Sequence, residues 1–357
     1  MYLKRELSDS IVEVVKRSRH FELSNKKILK LNTALCSPHY LHYDFTIESL
    51  EDIIALGDFY ISRLYDKTKS NNIPFFMIYK LKKPITRLMN MIGIEDVKTN
   101  ILSLIVFYIQ KFDVGISDML HTVVYGGPGV GKTMFIGILA EIYANLGILP
   151  TKKVTFLKRS DLIGEYLGHT AIKTKKAVED AKGGILVIDE AYSLGDTEQR
   201  DTFSKECLDT LNQFLSEDKR DFICIIAGYK EDIDTRFFKT NPGLRRRFPF
   251  NFTINDYSAE QLRDIFCMIV KENTWEIEPS AIDIQLLKEN KEFFKFNGGD
   301  MEVLFTKTKF IHAMRVFSSE KKDKKIITKE DFEGALKCFI DKNSPTKEKN
   351  VINYMYM

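Results

Sequence analysis

Residues 126–133 read Gly-Gly-Pro-Gly-Val-Gly-Lys-Thr, and no other stretch narrows the choice of fold so far. The run fits G-x-x-x-x-G-K-[ST], with Gly126 and Gly131 as the fixed glycines ahead of Lys132 and Thr133. Glycines let the backbone curl until successive N–H groups converge on phosphate oxygens. Lys132 supplies a mobile point charge for the β- and γ-phosphates, and Thr133 a hydroxyl for Mg²⁺. The setting agrees with the motif. His121-Thr-Val-Val-Tyr125 is a β-branched run suited to a buried strand. Met134 to Leu146 carries apolar residues at helical spacing: Phe135, Ile138, Leu139, Ile142 and Leu146. Strand, glycine loop and helix together predict a nucleotide cradle of Gly126, Gly127, Pro128, Gly129, Val130, Gly131, Lys132, Thr133 and Met134. The start of the helix adds its positive end to that site. Ile92-Gly93-Ile94, ahead of a helical pattern from Val97 to Phe112, offers apolar walls for a purine, with Ile94 the candidate contact; a helix start with Asp96 in its first turn describes the same residues equally well.

Gly183-Gly-Ile-Leu-Val-Ile-Asp189-Glu190 is an apolar strand ending in two carboxylates. Unbroken apolar character suits a strand covered on both faces, as in parallel sheets, whose carboxyl ends bind ligands. Asp189 is the candidate for Mg²⁺ and Glu190 for polarising an attacking water. Two acids opening a helix after a strand would need no chemistry; with a phosphate loop upstream, the catalytic reading is preferred. Lys153 to Lys158 and Phe222 to Tyr229 read as further strands. Between the first of these and the carboxylates, Gly164-Glu-Tyr166-Leu167-Gly168 sets an aromatic between glycines; alone, it reads as an ordinary buried Tyr. Asn241-Pro-Gly-Leu-Arg245-Arg246-Arg247-Phe248 is a cationic tip ahead of a last strand, Phe248 to Ile254. An arginine offered to a neighbour's γ-phosphate is worth about 10³–10⁵ in rate.

From about Ile92 to Ile340 the chain resembles an AAA+ ATPase, within the group that holds the red-type Rubisco activase CbbX and stage V sporulation protein K. The resemblance rests on Gly126 to Thr133, Asp161 to Thr170, Leu186 to Leu194, Ala227-Gly-Tyr-Lys230, and Asn241-Pro-Gly243 with Arg247-Phe248. It implies an α/β P-loop NTPase with a three-layer αβα core, a C-terminal helical lid and a small N-terminal accessory domain. It implies ATP and Mg²⁺ as ligands, a hexameric ring with a central pore, and a protein client. Tyr166, Leu167 and Gly168 match the pore loop that grips a polypeptide. Arg247 matches the arginine finger, with Arg246 as backup in the triple run. Tyr229 stands at the sensor-1 position, where most of the family has Asn. Phe296-Asn-Gly-Gly-Asp300 falls where many relatives keep a sensor-2 arginine; Arg315 comes too late in the chain.

The domain reading is an accessory module in 1–85, the large ATPase domain in 86–255, a helical lid in 256–342 and a tail in 343–357. Lys82-Lys83-Pro84 reads as the joint after the first module. Cys36, His39 and His42 number one short of a metal set and read as turn residues. A net charge of +3 gives no field favouring nucleic acid. The apolar run from Ile101 to Ile109 is too short to span a membrane, and no apolar signal core follows the N-terminus. Five scattered cysteines suit a reducing compartment, and the expected address is cytoplasmic. The leading functional reading is ATP-driven protein remodelling. A nucleotide-gated scaffold with little turnover and a nucleic-acid motor or loader are the alternatives on the same fold.

Overall fold

A computed structural model of the chain describes residues 20–112, 119–166, 168–195, 201–217, 221–317 and 325–343. The expected pore-loop residue Leu167 and the tail beyond residue 343 lie outside the described residues. The described residues up to Tyr125, with Thr133–Thr253, form one compact unit. Gly126–Lys132 and the described residues from Ile254 onward form a second.

The first unit opens with short strands. β1 (His20–Glu22), β2 (Ile28–Leu31) and β4 (Tyr43–Asp44) make an antiparallel sheet. β3 (Tyr40–Leu41) pairs in parallel with β5 (Ser70–Asn71). Helix α1 (Leu50–Ile61) starts at a capping box between Ser49 and Asp52. Asp52 is fully buried, yet its Oδ2 accepts from Glu48 N, Ser49 N and Lys27 Nζ, so the buried charge is satisfied.

Helix α2 (Phe75–Asn90) corrects one expectation: Lys82-Lys83-Pro84 is no joint but the interior of a helix, and Pro84 is buried. A proline there has no N–H for the carbonyl four residues back. That carbonyl, Lys80 O, instead accepts from the side-chain amide of Asn145 at 2.9 Å. A distant side chain supplies the bond the proline lacks, and nothing in the local sequence announces it.

Helix α3 (Glu95–Ile109) follows, then a five-stranded sheet in the order β10-β6-β9-β8-β7. Its strands are β6 (Thr122–Gly126), β7 (Val154–Leu157), β8 (Ile185–Ile188), β9 (Ile223–Gly228) and β10 (Phe250–Ile254). The pairings β6–β9, β8–β9 and β7–β8 are all parallel. Every residue of β8 and β9 is buried, as unbroken apolar strands require when helices cover both faces. Helices α4 (Lys132–Asn145), α5 (Arg159–Leu162), α6 (His169–Ala181) and α7 (Thr202–Glu217) connect the strands. Val178, Leu208, Leu211 and Leu215 pack with Leu186, Ile188, Cys224 and Ile226 in one core. This is the α/β phosphate-loop fold read from the sequence.

The second unit is helical: α8 (Ala259–Glu272), α9 (Ile284–Glu289), α10 (Gly298–Val316) and α11 (Lys329–Asn343), with a parallel pair of β11 (Glu276–Ile277) and β12 (Ile326–Ile327). Ser258 caps α8 in a reciprocal box with Gln261. At its centre the fully buried Asp331 accepts from Arg315 Nε and Nη2, each at 2.8 Å, and from Thr328 N at 3.1 Å; His312 Nδ1 lies 2.8 Å away. Among the described residues no helix is long and apolar enough to cross a membrane.

Candidate active site

The glycine loop is shaped by what surrounds it. Gly129 and Gly131 sit at φ +70° and +91°, where side chains are strained. A Cβ on Gly129 would fall 1.9 Å from Phe296 O, and one on Gly126 2.9 Å from Ile254 O. Within the second unit the loop is held at three points. Gly298 N donates to Gly129 O at 3.0 Å, Tyr257 Oη to Val130 O at 2.7 Å, and Asn297 Nδ2 to Pro128 O at 3.3 Å. Asn297 also donates to Asp256 Oδ1 and accepts from Tyr257 N. Its own φ of +47° shows that the segment is bent to make these contacts. Lys132 Nζ lies back over the loop, donating to Gly127 O at 2.7 Å and Gly126 O at 3.1 Å. Those are weak neutral acceptors, and an incoming phosphate would compete for the same ammonium. Thr133 and Met134, in the first turn of α4, are exposed. A glycine-rich loop, a lysine and an exposed hydroxyl form a donor set that fits a magnesium-bound polyphosphate.

Ile94 caps α3 with φ +59°, a left-handed conformation that a β-branched residue rarely adopts. Strain of that kind collects at functional positions.

The carboxylates stand at one edge of the sheet. The register Tyr125↔Gly228 and Ile188↔Ile226 brings the carboxyl ends of β6, β8 and β9 to the same side. Asp189 follows β8 and still pairs with β7, its N–H donating to Leu157 O at 3.2 Å. Glu190 is exposed and left-handed, φ +51°, with its N–H on Asp189 Oδ1 at 3.0 Å. Tyr229 follows β9, and its ring centroid lies 5.9 Å from that of Tyr192. Burial raises the Tyr192 phenol, and the neighbouring Glu190 carboxylate adds to the shift. Gly228, at φ +154°, leaves room for Tyr192, whose Cδ1 would be 3.0 Å from a Cβ there.

The three arginines differ. Arg245 is exposed but its guanidinium reaches Asp234 Oδ1 at 2.9 Å and lies over the Phe238 ring. Asp234 also accepts from Tyr125 Oη at 3.1 Å; burial and that carboxylate push the phenol up to about 12. Arg247 is half-buried, with Nε on Ser216 Oγ at 2.7 Å and Nη1 on Gly243 O at 2.6 Å. Arg246 is exposed. Arg247 therefore has a defined direction within its own chain, and Arg246 points to solvent.

Tyr166 is 66% exposed, against the ordinary expectation of a buried ring, and its ring meets that of His169 edge-on at 5.5 Å. Gly168, at φ +81°, caps α6, and open space surrounds the position a Cβ would take there. Lys173 ties down the base of this loop, donating to Ser160 O at 2.6 Å and Ile163 O at 3.0 Å.

Two features escaped the sequence reading. Asn297 has no signature beyond a glycine-rich turn. Arg159, the first residue of α5, donates to Ser193 O, to Ser204 Oγ at 2.6 Å and to Asp201 Oδ2. Ser193 N in turn donates to Glu190 O at 2.8 Å. Asp201 caps α7 through Phe203 N and Ser204 N; against the cost of burial, Arg159 and Ser204 hold its carboxyl down at about 2. One guanidinium thus joins the stem of the Tyr166 loop, the turn behind Glu190 and the start of α7, near whose other end Ser216 Oγ accepts from Arg247 Nε. The hint in sequence is an arginine just after a strand. Arg315, the late sensor-2 candidate, is engaged by Asp331 instead.

Comparison with known proteins bears on the same site. The family model described as ATPase family associated with various cellular activities (AAA) matches residues 122–255. A putative cfxQ-like protein of Acanthamoeba polyphaga mimivirus is 36% identical over 312 residues, covering 87% of this chain and 76% of that protein. Stage V sporulation protein K of Bacillus subtilis is 36% identical over 198 residues, 54% of this chain and 61% of the relative. The chloroplastic ribulose bisphosphate carboxylase/oxygenase activase of Cyanidioschyzon merolae is 32% identical over 238 residues, 64% and 81%.

Proposed function

The chain belongs to the AAA ATPases, in the group of CfxQ- and CbxX-like proteins, and from that premise we propose that it is a ring-forming motor that rearranges a protein client. ATP-dependent remodelling is the activity the family carries; the hexameric ring, the client and the roles below are our reading. The observation that carries it is the placement of Glu190. It is an exposed carboxylate on a left-handed kink at the carboxyl end of a buried parallel strand, two strands from the one that feeds the glycine loop.

In this reading the loop N–H groups from Gly126 to Gly131, with Lys132, hold the β- and γ-phosphates, and Ile94 lines the purine side. Thr133 and Asp189 would hold Mg²⁺, which supplies charge neutralisation on the phosphate oxygens. Glu190 accepts a proton from the attacking water, and Tyr229 orients that water or a phosphate oxygen. Arg247 serves the neighbouring subunit's γ-phosphate, with Arg246 as the alternative. Tyr166, Leu167 and Gly168 grip the client. We take residues 1–85 as an accessory module, 86–255 as the motor domain, 256–342 as its lid and 343–357 as a tail. We assign the protein to the cytoplasm because all five cysteines are free thiols.

The test is a mixed ring. Glu190→Gln keeps ATP binding and lowers turnover by about 10²–10⁴. Arg247→Ala and Lys132→Ala chains, each inactive alone, regain ATPase when mixed, because composite interfaces combine one intact loop with one intact arginine. Absence of rescue, with both variants folded, would remove the shared site and with it the ring.

A further inference from the structure

The outer face of the accessory module carries aromatic residues that its core does not use. Beneath it, Phe59 of α1 and Phe75, Ile78 and Leu81 of α2 are already closed off, at most 4% exposed. On top, Tyr60 meets Tyr79 at 5.5 Å and Phe76 at 6.0 Å. Phe76 is 55% and Tyr79 39% exposed. Phe76, Tyr79, Lys80 and Lys83 fall at helical spacing, so one face of α2 presents two rings and two ammonium groups.

The surrounding charge is one-sided. From Tyr60 to Lys83 the chain has six basic residues, Arg63, Lys67, Lys69, Lys80, Lys82 and Lys83, against Asp66 alone. Lys69 is used by Asp66 and Lys82 by Asp58. Arg63, Lys67, Lys80 and Lys83 are exposed. A whole-chain net charge of +3 makes this concentration a local feature.

We propose that this face docks an acidic segment of a protein client, anchored by an apolar side chain among Tyr60, Phe76 and Tyr79. Exposed aromatics beside cations are the usual anchors of protein interfaces, and complementary charge sets register and on-rate. A nucleic acid fits less well. Lys80 Nζ lies 4.3 Å from the Phe76 ring centre and Lys67 Nζ 5.1 Å from that of Tyr60. An ammonium group thus sits over the ring of Phe76 and over that of Tyr60, where a base would stack, whereas carboxylates reach those groups where they stand. The inference rests on the client reading above and names the chemistry of the client.

Binding is measured without nucleotide, so a protein that hydrolyses no ATP can still pass this test and an active motor can still fail it. The probe is a fluorescein-labelled peptide of Glu and Asp clusters interrupted by Phe and Leu, titrated with the full chain by anisotropy. Binding should weaken as salt rises. It should fall at least about tenfold in Lys67→Glu/Lys80→Glu and in Phe76→Ser. Both sets alter exposed side chains, and circular dichroism checks the fold; Lys80→Arg should retain binding. Three results overturn the proposal: no binding, equal binding by the variants, or tighter variant-sensitive binding of single-stranded oligothymidine or phosphatidylserine vesicles.

Discussion

Replacing Arg159 with alanine removes a side chain that fastens the turn after Glu190 to its neighbours. Three donations are lost, to Ser193 O, Ser204 Oγ and Asp201 Oδ2. A hydrogen bond involving a charged group contributes about 1.5–3 kcal/mol net. The Arg159 side chain is 37% exposed and that of Asp201 29%, so water screens the set and the low end applies to the group as a whole. Asp201 keeps Phe203 N, Ser204 N and Ser204 Oγ, so its charge is not stranded. A loss of about 2 kcal/mol is small against a stability of about 5–15 kcal/mol, and the chain stays folded. If the same contacts hold the turn in its competent form, that form becomes rarer by at most about thirtyfold, since about 1.4 kcal/mol is tenfold. No contact of the glycine loop is touched. Steady-state ATPase should therefore show kcat down by about ten- to thirtyfold with KM for ATP within about twofold, and Arg159→Lys should recover part of the rate. A melting point lowered as expected with kcat unchanged, or a raised KM alone, refutes the positioning role.

Two stability predictions follow from buried groups. His121 is fully buried; its Nδ1 accepts from Cys224 N at 3.0 Å, and burial lowers its pKa to about 4 despite the bond to Leu215 O. The unfolded chain binds that proton from about pH 6.5 downward and the folded one does not, so stability falls between pH 6.5 and 4 and is flat above. At pH 5 the loss is about 2 kcal/mol; urea titrations at pH 5 and 7 should show it, and His121→Gln should flatten the difference. Asp331→Ala removes the acceptor of Thr328 N and Arg315 and the carboxylate beside the buried His312, and should cost about 3 kcal/mol by thermal melting, the low end because Arg315 is 37% exposed. Burial opposes ionisation of Asp331, yet Arg315 and His312 hold it well below the ordinary carboxylate range. Its contribution is therefore present above about pH 4 and is lost as pH falls further.

The sheet was readable because its strands are short apolar runs bounded by turn residues, and β8 and β9 are buried along their full length. The glycine loop was readable because its motif is local. Long-range compensation was not. Pro84 looks like a break until Asn145 is found on its orphaned carbonyl. Arg159, Asp201 and Ser193 lie up to 42 residues apart and share no periodicity. Gly129 was expected for its freedom of φ, but its tightest constraint, Phe296 O, comes from a segment that sequence marks only as a turn. Tyr166 could equally have been interior by composition, and its 66% exposure was not legible in the sequence.

The fastening at Pro84 reaches beyond local geometry. Helix α2 is bolted to α4 twice, by Asn145 on Lys80 O and by Arg87 Nη1 on Glu141 Oε1 at 2.9 Å. α4 is the helix that begins with Lys132, and α2 is the one that displays Phe76 and Tyr79. A pull on α2 would therefore be shared with α4 through two bonds, as between two braced rods. One of those bonds lands on Lys80 O, the carbonyl that Pro84 cannot serve.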